Sequence, residues 1–129
     1  MKNEITINVL GMPYRILHKD YDEEPSFKEQ DFAGFCDGYA KEIVICNMET
    51  YAGWENESPK TALAFQRTTL RHEIVHAFLY ESGLADNSGS TDAWAVNEEM
   101  VDWIARQGEK IFNAWTWAES EEPYAQNRT

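Results

Sequence analysis

The chain is poor in cysteine, in histidine and in positive charge. Its two cysteines, Cys36 and Cys46, are too few for a disulfide framework. They do not form a CxxC pair, which argues against a structural zinc site built on thiolates, and both read as small core residues. Eleven Lys and Arg stand against 23 Asp and Glu, a net charge of -12. That balance opposes approach to a nucleic-acid backbone. The acidic surplus itself reads as solvated surface and defines no substrate. No apolar run reaches the roughly 20 residues needed to cross a bilayer. The opening MKNEITINVLGMPYRIL alternates polar and apolar residues and lacks the continuous apolar stretch of a signal peptide. The expectation is a soluble, cytoplasmic protein with neither a membrane nor a nucleic-acid partner. Repeats, low-complexity tracts and linkers are missing too, so residues 1–129 are expected to form one domain.

What is present is a pattern of strands followed by helices. EITINV alternates with period two, LGMP carries turn residues, and YRILH resumes the alternation, which predicts a β-hairpin. KDYDEEPS reads as a loop and FKEQDFA as a short helix. GFCDGYAKEIVICN predicts a strand, a turn near Asp37-Gly38 and a second strand centred on residues 43–45. Ser58-Pro59 is a helix start, with Ser as cap and Pro in the first turn, and that helix is expected to stop at Gly83. After a turn-rich loop, Thr91 or Asp92 can cap a further helix through WAVNEEMVDWIARQG, and EKIFNAWTWA predicts a last short one. The order gives an α+β fold: N-terminal antiparallel strands, then two principal helices.

Two of the three histidines fall within five residues, in HEIVH, 72–76. On a helix, positions i and i+4 share a face, so His72 and His76 can aim imidazole nitrogens at one ion. Glu73 adjoins the first and sits three residues before the second. A general base for water beside that ion belongs there. With 3 His and 16 Glu in the chain, chance yields this motif on the order of once in a hundred shuffles. The competing reading of IVHAF is plain buried helix, and a third ligand is needed to decide. NEEMVDWIA, 97–105, offers one. Trp94, Val101 and Ala105 mark an apolar stripe that includes Glu98 and excludes Glu99, which points about 100° away. A carboxylate on a core-facing stripe is costly unless paired or metal-bound. Asp102, one turn on, can accept the free N–H of a liganding imidazole.

HEIVH followed by NEEMVD resembles the HExxH plus NExxxD arrangement of the gluzincin metallopeptidases. The ExxVDxIA run is similar to that of ImmA/IrrE-type peptidases, and the HExxHA helix to that of small phage and prophage proteins. The resemblance covers residues 58–108; where ImmA/IrrE proteins carry an LLMP-like tail, this chain has RQGEKI. It implies a small zincin-like domain with an active-site helix and a second ligand-bearing helix. It further implies a Zn2+ ion on His72, His76 and Glu98, with Glu73 as general base and Asp102 behind the ligands. The activity implied is zinc-dependent hydrolysis of a protein or peptide substrate. The alternative is a catalytically silent zincin-fold protein, phage-related, that binds or regulates.

Minimal zincins place a sheet edge beside the metal, where an extended peptide can add by main-chain hydrogen bonds. EIVIC, 42–46, is here either that edge or a central core strand. Tyr80, four residues after His76, falls on the metal face, yet no oxyanion-stabilising residue stands out. His18 reads as an exposed strand residue.

Overall fold

The computed structural model of the chain describes residues 4–87, 89 and 94–121. Strands β1 (Glu4–Val9) and β2 (Met12–Lys19) form the expected hairpin. Its two-residue turn, Leu10-Gly11, has positive φ at both positions, 53° and 93°, and Asn8 Oδ1 accepts the Gly11 N–H at 2.7 Å. That is the turn geometry whose twist matches paired strands. Helix α1 (Pro25–Gln30) leads into β3 (Gly34–Asp37) and β4 (Glu42–Cys46), which pair antiparallel.

The four strands make one sheet in the order β1-β2-β4-β3, and β2 and β4 run parallel. The α+β class stands, but the sheet is mixed rather than antiparallel. The reason lies in β4. Ile43 and Ile45 are buried on one face, and Val44 and Cys46 on the other. A strand apolar on both faces belongs inside a sheet, so EIVIC is the central strand and β3 is the edge.

β1 alternates exposed and buried without exception, sending Ile5, Ile7 and Val9 inward. Above this inner face lie α2 (Pro59–Glu81) and, after a one-turn helix α3 (Leu84–Asn87), the long α4 (Glu98–Ser120). Leu70, Ile74, Ala77 and Phe78 of α2 meet Ile111, Ala114 and Ala118 of α4 in the main core. A smaller cluster of Phe27, Val44, Cys46, Met48 and Ala62 closes the other side of β4. Tyr14, fully buried, donates its hydroxyl to Glu81 Oε2 at 2.7 Å, and Lys41 Nζ reaches the same oxygen at 2.6 Å. This ties the end of α2 to the β3–β4 turn. Among the described residues no helix is long and apolar enough to cross a membrane.

Helix α4 corrects three expectations. It runs unbroken through Gly108, so the short C-terminal helix is its continuation. Its cap is Asn97, whose side chain accepts the Met100 N–H at 2.8 Å; Thr91 and Asp92 lie outside the described residues. Its core face is set by Ile111, Ala114 and Ala118, with Trp103 packed against the same cluster. The stripe read from sequence faces solvent instead, with Val101 52 % exposed and Ala105 and Trp94 exposed.

His18 is the other correction. Strand alternation puts it inside with Tyr14 and Ile16, 9 % exposed, and neither ring nitrogen has a partner among the described residues. Burial pushes its pKa down to about 4. A neutral buried imidazole that must charge is an acid-sensitive element. The unfolded chain takes up its proton from about pH 6.5 downward, the folded chain only near 4, so stability is lost as pH falls through that window. The shift corresponds to about 3 kcal/mol. His18→Leu is expected to reduce the loss between pH 7 and 4 by an amount of that order, read by urea titration at both pH values. An unchanged difference would sink the assignment.

Candidate metal centre

Helix α2 is built to start and stop sharply. Ser58 Oγ accepts the Thr61 N–H at 3.1 Å, Pro59 fills the first position, and Gly83, with φ of 83°, follows the end. Two glycines let the helix lie close against β3. A Cβ on Gly34 would come within 2.9 Å of the Thr69 side chain and 3.0 Å of the Val44 carbonyl oxygen. One on Gly38 would meet the Tyr80 ring at 2.7 Å. Strand and helix thus run side by side in the same direction, Gly34 level with Thr69 and Gly38 with Tyr80.

His72, Glu73 and His76 sit between those two contacts. The His72 and His76 Nε2 atoms are 3.1 Å apart, with rings edge-on at 69°. In a tetrahedral zinc site with bonds of 2.0–2.1 Å, two ligand atoms lie about 3.4 Å apart, so this pair needs little adjustment to share an ion. The ligand atoms of all three residues lie within 4.8 Å of one another. Both histidines are exposed, whereas Glu73 turns inward and is 8 % exposed.

Burial raises the Glu73 pKa, partly offset by the neighbouring His72. Burial, then the charge of His72, lowers that of His76. Both directions suit the site: His76 favours the neutral form that binds metal, and Glu73 becomes a stronger base than an exposed carboxylate. Cys36 of β3 lies near Glu73 and is held protonated, its pKa pushed up to about 12, chiefly by burial.

Glu98 and Asp102 are not in this group. Helix α4 packs on another flank of α2, where Glu119 pairs with Arg67 and Arg71 and Trp115 Nε1 donates to the Arg71 carbonyl. His72 and His76 each follow those arginines by five residues, about 140° round the helix. Glu98 is the first residue of α4 and solvent-exposed, where an acid complements the helix dipole. Asp102 is exposed and pairs with Arg106 one turn on, at 3.4 Å. The argument that Glu98 occupies a core-facing position therefore lapses.

Among the described residues the outer flank of β3 has no strand beside it, and this is the feature that sequence reasoning missed. Cys46 donates its N–H to the Ala33 carbonyl. Antiparallel ladders alternate, so Phe35 and Asp37 bond to β4, while the backbone groups of Gly34 and Cys36 face the outer edge, on a strand that runs between the levels of Thr69 and Tyr80. The glycine spacing was the available signal. Tyr80 packs over Gly38 and remains part-exposed. No protein-family model, curated protein or solved structure matches the chain.

Proposed function

We propose that this protein is a small zinc-dependent peptidase of the gluzincin kind, with a zincin-like arrangement of edge strand and active-site helix. The observation that carries the proposal is the pair of Nε2 atoms 3.1 Å apart beside a buried glutamate. Two imidazoles and a carboxylate suit zinc chemically, and the chain's net charge of -12 favours a cation. A zinc ion held there would polarise a substrate carbonyl and make water more acidic.

The remaining work belongs to the chain. The Gly34 and Cys36 backbone groups hold an extended peptide along β3. Glu73 takes a proton from the attacking water as its oxygen bonds to the carbonyl carbon. Glu73 then passes that proton to the amine nitrogen as the C–N bond breaks. Glu98 is the proposed third ligand, by the gluzincin resemblance alone, and Asp102 its proposed companion behind the ligands. The second reading is a protein that holds metal and binds a partner without turnover. Metal analysis of the purified protein, followed by a search for cleavage products with wild type and Glu73→Gln, tests both.

A further inference from the structure

Helix α2 carries a second feature on the flank of the imidazoles. Phe65 is seven residues before His72, about 20° from the same angular position two turns away. It stays 43 % exposed and its ring sits 4.8 Å from that of Trp54, tilted at 52°. Trp54 is itself half-buried against the smaller core cluster, so the pair is a preorganised apolar platform. It stands about 13 Å along the helix from the imidazole pair, the span of about four extended residues.

Resting on the peptidase reading, we infer that Trp54 and Phe65 select a bulky apolar side chain about four residues C-terminal to the scissile bond. The direction follows from the strand. β3 runs from the level of Thr69 toward that of Tyr80. A peptide pairing antiparallel to it, the more stable mode, runs from Tyr80 past the imidazoles toward Phe65. Its C-terminal side therefore reaches the platform. An aromatic or long aliphatic side chain fits two tilted rings. Glu49, Glu55 and Glu57, all exposed on the segment carrying Trp54, disfavour acidic neighbours of that residue.

The test is a cleavage profile of the zinc-loaded full chain on peptides randomised on both sides of the cut. The expected result is enrichment of Phe, Trp or Leu about four positions C-terminal to the cut. Phe65→Ala and Trp54→Ala should each lower the ratio of kcat/KM between Phe-bearing and Ser-bearing peptides about tenfold, with zinc content unchanged. A flat profile at that position, or a preference that survives in both variants, overturns the inference and leaves the peptidase reading standing. Cleavage of no peptide at all overturns both.

Discussion

Glu73→Gln is expected to keep one zinc per chain and normal folding while lowering peptide hydrolysis by about 10²–10⁴-fold. The substitution preserves shape and hydrogen-bonding capacity but removes the proton-accepting charge. Glu73 is the carboxylate grouped with the two imidazoles, and its raised pKa fits the base and acid roles in turn. Metal content by elemental analysis and cleavage by mass spectrometry must be read on one preparation. Wild-type turnover in this variant would remove Glu73 as the general base, whereas a zinc-loaded wild type that cleaves nothing would remove the peptidase reading and leave a metal-bearing binding protein. Loss of zinc would make Glu73 a ligand, giving a two-histidine, one-carboxylate site of different chemistry.

His72→Ala or His76→Ala should each reduce zinc from one equivalent to nearly none at micromolar metal, because one remaining imidazole cannot hold the ion. Both side chains are exposed, so neither change should unfold the protein. Glu98→Ala is expected to weaken binding less than either, since that carboxylate is not in the group formed by the imidazoles and Glu73. Calorimetric titration ranks the three variants. A Glu98 effect as large as those of the histidines would show that the first turn of α4 closes on α2, as the gluzincin pattern requires. Stoichiometric zinc in both histidine variants would end the case for this site.

Local chemistry made much of the fold readable. The cap at Ser58, the stop at Gly83 and the turn at Leu10-Gly11 act over a few residues, and each appears where the sequence put it. The HEIVH pair is also local, so its geometry follows from helicity alone. Strand order is not local: nothing in EIVIC says that its parallel neighbour is β2. The phase of α4 was obscured because the helix carries two apolar faces. Val101, Ala105 and Phe112 mark one, which is exposed, and Ile111, Ala114 and Ala118 the other, which is buried. Periodicity finds both faces, and only packing chooses between them. His18 went astray through its residue type, when the alternation of Tyr14 and Ile16 already gave its side.

A ligand pair encoded within five residues is available to metal in any state in which that one turn is helical. An ion that binds folded and partly unfolded chains alike shifts little of the equilibrium between them. The ion couples to folding only through groups that arrive from elsewhere. A zinc ion held by the imidazole pair alone would therefore exchange without the protein coming apart, since the fold rests on the two apolar clusters. The thermodynamic signature of that pair acting alone is a melting temperature that scarcely moves with added zinc; Glu98 completing the site from α4 would instead raise it.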